Sequence, residues 1–112
     1  MRNHRLYLKD IFDAMESIEL FVHNMNFEDF KKDDKTVSAV IRKFEIIGEA
    51  TKQIPDDIKQ KSPDAPWKEM AGMRDRLIHS YFGVDYHLVW MTIKERIPKV
   101  KPYIKKILEK EK

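Results

Sequence analysis

At 112 residues the chain can build one hydrophobic core and little more. Hydrophobic residues make up 42% and charged residues 37%, with three glycines and no cysteine, which excludes a disordered tail, a disulfide scaffold, a thiolate nucleophile and cysteine-based zinc sites. A net charge of +3 permits a polyanionic partner without demanding one.

The opening stretch MRNHRLYLKDIFDAMES has carboxylates in its first turns and no uninterrupted apolar region, so it does not read as a signal peptide. No apolar run approaches the roughly 18 residues of a membrane span, and a cytoplasmic protein without membrane contact is expected. Leu8, Ile11, Ala14, Met15, Ile18, Val22 and Met25 recur at spacings of three and four, the stripe of a first helix. NFEDFKKDDK reads as a connection that Phe27 and Phe30 tuck onto the bundle.

A second helix is expected from about Thr36 to Lys52 on the period of Val37, Val40, Ile41, Phe44 and Ile47, with Pro55 enforcing the break. IPDDIKQKS suits a short helix. Pro66 suits the first turn of a third, whose face toward the core or a partner carries Trp67, Met70, Met73, Leu77 and Tyr81 and whose C-terminal cap is Gly83. Asp85 caps a fourth helix bearing Leu88, Val89, Met91 or Trp90, Ile93 and Ile97. Pro98 either kinks it or ends it, and VKPYIKKILEKEK continues as a basic helix. The expected fold is all-α, a single domain over residues 1–112, with four or five helices in an antiparallel bundle.

Chemistry concentrates in MAGMRDRLIHSYFGVD, residues 70–85. Arg74 offers a permanent planar cation for a phosphate, and His79 titrates near neutrality. In RNA cleavage His79 would assist attack of a ribose 2′-hydroxyl on the adjacent phosphate while Arg74 stabilised the developing charge, giving a 2′,3′-cyclic phosphate and a 5′-hydroxyl without a metal or cofactor. The ordinary alternative is a surface cation and a partly buried histidine. On one straight helix Arg74 and Tyr81 share a face, but His79 lies about 140° from Arg74. A bend near Gly83, the reach of the arginine, or a symmetric dimer would unite them.

Arg74, His79 and Tyr81 resemble the R-x4-H-x-Y signature of HepT-like toxins of the HEPN superfamily. The resemblance extends through RLYLKDIFDAME, FEIIGEATKQIP and PWKEMAGMRDRLIHSYFGVD, nearly the whole chain. It implies a helical bundle that dimerises to line one cleft with two R-x4-H motifs and acts as a metal-independent RNA endonuclease. It also implies a minimal nucleotidyltransferase antitoxin as partner and Tyr81 as acceptor of AMP. Residue 75 is often Asn in this family; Asp75 here can orient Arg74 or Arg76 but places negative potential where RNA binds. Arg76 is expected to contact substrate. The competing function is a non-catalytic helical, nucleotide-binding or regulatory partner of the transferase, which has no chemical need for the Arg74/His79 pair.

Elsewhere, Glu45 and Glu49 read as a solvated face, and His4, His23 and His87 as surface or packing residues rather than metal ligands. Gly48 inside a helix suggests close helix approach, and Gly72 the same. Lys99, Lys101, Lys105, Lys106 and Lys110 read as a solubilising face, with RNA guidance the alternative.

Overall fold

The computed structural model describes residues 3–79 and 83–111, His79 by its backbone. Helix α1 (His4–Phe21) starts at Asn3, whose side-chain oxygen accepts the Arg5 N–H at 2.8 Å. Its expected stripe of Leu8, Ile11, Ala14, Met15 and Ile18 is buried. The stretch expected to be a connection instead forms a short helix, α2 (Phe27–Lys32). A reciprocal capping box makes it: Asn26 accepts the Asp29 N–H at 2.8 Å and Asp29 accepts the Asn26 N–H at 3.1 Å. The Phe pair does tuck it in, for Phe30 is fully buried 5.3 Å from the Trp90 ring and Phe27 lies edge-on to His87 at 5.7 Å.

Helix α3 (Asp34–Lys52) begins at Asp33, whose carboxylate accepts the Thr36 N–H at 3.0 Å. Val37, Val40, Phe44 and Ile47 are buried, and α1 packs along the helix. Thr51 is fully buried, its hydroxyl donating to the Ile47 carbonyl at 2.6 Å. After Pro55, α4 (Asp56–Lys61) buries Ile58.

The single third helix expected after Pro66 is two, α5 (Trp67–Ala71) and α6 (Met73–Leu77), separated at Gly72. Gly72 is not a close approach: a Cβ there would stand 3.6 Å from the Lys68 carbonyl, an ordinary contact. Nor does the helix reach Tyr81. The chain turns extended at Ile78, and β1 (Ile78–His79) pairs antiparallel with β2 (Gly83–Val84), Ile78 opposite Val84 and His79 opposite Gly83. The Asp85 N–H donates to the Leu77 carbonyl at 3.2 Å, so the end of α6 is satisfied by a returning strand rather than another turn. Gly83 is therefore no helix cap; at φ +79° it occupies a left-handed conformation within the ladder.

Asp85 caps α7 (Tyr86–Met91) as expected, accepting the Leu88 N–H at 3.1 Å. The helix then runs without interruption through a π turn (Thr92–Arg96) into α8 (Ile97–Lys110). Pro98 has no N–H and crowds the carbonyl four residues back, and the widened turn, in which the Ile97 N–H donates to Thr92, makes room. Pro98 thus interrupts the hydrogen-bond ladder without ending the helix. The class is all-α as expected, with eight α-helical segments among the described residues, of which α7 and α8 belong to one continuous run. No described helix is long and apolar enough to cross a membrane.

Gly48 brings α3 against α5. A Cβ built there would lie 3.2 Å from the Ala71 carbonyl oxygen, a backbone atom with little freedom to retreat. Gly48→Val should lower unfolding stability by about 2 kcal/mol through overpacking. Gly48→Ala should change it by less than about 1 kcal/mol, because gained helix propensity offsets the tight contact. Denaturant midpoints of the two variants check this.

Candidate functional site

Met73 and Leu77, one turn apart, are buried and anchor α6 to the core. Between them Arg74 and Arg76 differ by roughly 200° around the helix and so face opposite ways. Arg74 turns to α3: its Nε lies 3.8 Å from Glu45 Oε2, and its Nη1 lies 3.6 Å from Asp75 Oδ1. Both separations exceed hydrogen-bond length, so the guanidinium is attracted but not locked. Its side chain is 49% exposed. It borders a cleft of about 260 Å³ whose rim carries Arg42, Lys52 and Arg74 against Glu45, Glu49 and Asp75. Cations and carboxylates are matched there, so neither sign dominates the cleft.

Arg76 turns to α5, where its Nη1 is 4.0 Å from Glu69 Oε1. Glu69 is already engaged by Arg96 of the π turn, which donates from Nε at 2.9 and 3.3 Å and from Nη2 at 2.9 Å. Those hydrogen bonds, then the Glu69 charge, hold the Arg96 guanidinium above its ordinary range. A second cleft, about 260 Å³, opens on this side over Met73, Leu77, Leu88 and Met91, with Arg76, Arg96, Glu69 and Glu95 on its rim.

Of the residues singled out from sequence, Arg74 and Asp75 come together, and Arg76 looks into a different cleft. His79 follows in β1, known by its backbone. Tyr81, the expected AMP acceptor, lies outside the described residues. Because α6 ends at Leu77, the helical angles assigned to His79 and Tyr81 relative to Arg74 do not apply. Glu45 and Glu69 were missed as partners of the arginines. Glu69 had no local signal; Glu45, one turn before Gly48, could have been found from the glycine that marks where α3 meets α5.

Comparison with known proteins locates the chain among ribonucleases. A family model described as ribonuclease HepT-like matches residues 11–107. A protein named probable ribonuclease HepT from Thermococcus cleftensis is 55% identical over 106 residues, 95% of this chain and 96% of that protein. A relative from Caldanaerobacter subterraneus subsp. tengcongensis, named as an RNase, is 46% identical over 112 residues, 100% of both chains. Another so named, from Methanocaldococcus jannaschii, is 48% identical over 108 residues, 96% of this chain and 89% of that protein. No solved structure matches.

The two carboxylates should separate on mutation. Glu69→Ala breaks a bidentate pair between α5 and the π turn and should cost about 1 kcal/mol, the upper end for partly exposed ion pairs. Glu45→Ala loses only a loose contact and should cost less than about 0.5 kcal/mol. Thermal unfolding of the two variants, side by side, reads the difference.

Proposed function

The chain belongs to the HepT-like ribonuclease family, and on that premise we propose that it is a metal-independent RNA endonuclease with Arg74 and His79 as its catalytic pair. His79 takes the proton of a ribose 2′-hydroxyl as the 2′-oxygen bonds to phosphorus; the bond from phosphorus to the 5′-oxygen breaks, and that oxygen leaves with a proton returned by the imidazolium or drawn from water. Arg74 stabilises charge on the phosphoryl oxygens. The products are a 2′,3′-cyclic phosphate and a 5′-hydroxyl.

The observation that carries this reading is the state of Arg74. Arg96 is fastened to Glu69 by bidentate hydrogen bonds, whereas Arg74 sits half-exposed, 3.6–3.8 Å from its carboxylates, on the last turn before the strand that holds His79. A loosely held guanidinium can exchange a carboxylate for a phosphate at little cost. Asp75 orients it. Arg76, 57% exposed beside a glutamate that Arg96 already occupies, is the substrate-binding cation of the opposite cleft.

In this reading the protein is a cytoplasmic toxin that works as a homodimer, two copies of the motif sharing one RNA-binding cleft. Its antitoxin is a minimal nucleotidyltransferase that transfers AMP to Tyr81. A phosphate attached there competes with RNA for Arg74.

Arg74→Ala and His79→Ala should each lower cleavage of single-stranded RNA by roughly 10²–10⁴-fold with unchanged helical circular dichroism. The parent protein should cut RNA in EDTA and spare DNA, which lacks the attacking hydroxyl. Magnesium-dependent rescue of an EDTA-silenced protein would reject the metal-free mechanism, and near-parental cleavage by either variant would return that residue to a structural role.

Tyr81→Phe should cleave RNA like the parent yet escape silencing by the cognate transferase and ATP. Intact-mass spectrometry should show added AMP on the parent and none on this variant. Continued modification of Tyr81→Phe would place the acceptor elsewhere, with Tyr7, Tyr86 and Tyr103 the next candidates.

A further inference from the structure

The lysines of α8 divide into two kinds. Lys101 is spent on the fold: its Nζ lies 2.6 Å from Glu16 Oε2 and 2.6 Å from Glu19 Oε1, fastening α8 to α1, and 5.4 Å from the Phe12 ring centroid. Lys99, Lys105, Lys106 and Lys110 are exposed, and none has an ion pair among the described residues. That contrasts with Lys9, Lys52, Lys61 and Lys101, each of which has a carboxylate within 4.0 Å.

Their placement is directional. Lys99, Tyr103, Lys106 and Lys110 follow at intervals of four, three and four, one stripe of the outer helix face about 60° wide at 100° per residue. Tyr103, 40% exposed, sits in the middle of the stripe beside a shallow depression of about 340 Å³ bordered by Pro102, Lys105, Lys106 and Glu109. Glu109 is the carboxylate of this face and lies to the side of the stripe, not on it. An exposed aromatic ring between unpaired cations is the pairing that single-stranded nucleic acid uses: ammonium groups track phosphates and the ring stacks a base.

We propose that this stripe is an RNA-binding exosite, in which Lys99, Lys106 and Lys110 hold the phosphate backbone and Tyr103 stacks a base of the strand. It rests on the ribonuclease reading for the identity of the polyanion and is separate from the cleavage residues. α8 packs on α1, while Arg74 faces α3, so the exosite engages the strand at a distance from the bond being cut. Long RNA gains from it; a minimal substrate does not.

The test uses the full-length protein carrying His79→Ala, to prevent cleavage, and a labelled single-stranded RNA of about 20 nucleotides, longer than the roughly 4–16 nucleotides a single binding groove covers. Combined Lys99→Ala, Lys106→Ala and Lys110→Ala should weaken binding at least tenfold. The slope of log affinity against log salt should flatten by about 2, from roughly 0.7 per phosphate contact on a single strand. Tyr103→Ala should weaken binding on the order of tenfold with the slope unchanged, and Tyr103→Phe, which keeps the ring, should bind like the parent. All four positions are exposed, so melting temperatures should not move. An unchanged affinity and salt slope in the triple variant would overturn the exosite. So would a triple variant that binds RNA like its parent but loses an acidic protein partner, which would assign the stripe to that partner.

With His79 restored, the triple variant should cut long RNA more slowly yet cleave a dinucleotide at the parental rate. Equal slowing on both substrates would overturn the separation from the cleavage site. A protein that never cleaves RNA but binds it through the stripe would discard the nuclease reading and keep the exosite.

Discussion

The approach of α5 to α3 at Gly48 sets the geometry on which the candidate site depends. With no side chain at 48, the Ala71 carbonyl comes to 3.2 Å from where a Cβ would stand, and α6 follows after Gly72 already seated against α3. Met73 and Leu77 then drop into the core, which leaves Arg74 directed at Glu45, one turn before the glycine. A missing methyl group, rather than an attraction, positions the cation. The apolar stripes of α1 and α3 supply the burial that makes such a close crossing affordable in stability terms.

Charged groups in this molecule fall into fastened and loose sets. Arg96 with Glu69 and Lys101 with Glu16 and Glu19 are at hydrogen-bond distance and partly shielded, and they tie the α7–α8 run to α5 and to α1. For Lys101, burial depresses the ammonium pKa, but the hydrogen bonds it donates to Glu16 and Glu19 outweigh this and the net shift is upward. Pairs of this exposure add little net stability, so they select the geometry of a fold that apolar burial stabilises. Arg74, Arg76 and the outer lysines of α8 belong to the loose set, along with exposed lysines elsewhere such as Lys31, Lys32 and Lys68.

Much of this was legible in the sequence because it is local or periodic. The stripes of α1 and α3, the cap at Asp85, and the short helix after Pro55 all follow from spacing and side-chain chemistry within a few residues. The capping box of Asn26 and Asp29 was equally local and was overlooked only because the segment is so polar. Other features are held by contacts remote in sequence. Glu45 meets Arg74, and Glu69 meets Arg96, across separations that no window reveals.

The end of α6 is the instructive case, because the pattern there argued for the wrong continuation. Met73, Leu77 and Tyr81 keep a helical period, yet the Leu77 carbonyl is taken by the Asp85 N–H and Ile78 turns extended. Periodicity reports which residues want burial; it cannot report that a carbonyl has a non-local partner. Once the helix stops, the angle between Arg74 and His79 ceases to be a helical phase and becomes a matter of ladder register. Gly83 stands in that ladder: at φ +79° and opposite His79, it holds a conformation that a residue with a Cβ reaches only at a cost of about 1 kcal/mol or more. The glycine that looked like a helix cap is therefore a ladder residue, paired across from the His79 backbone two residues beyond the end of α6.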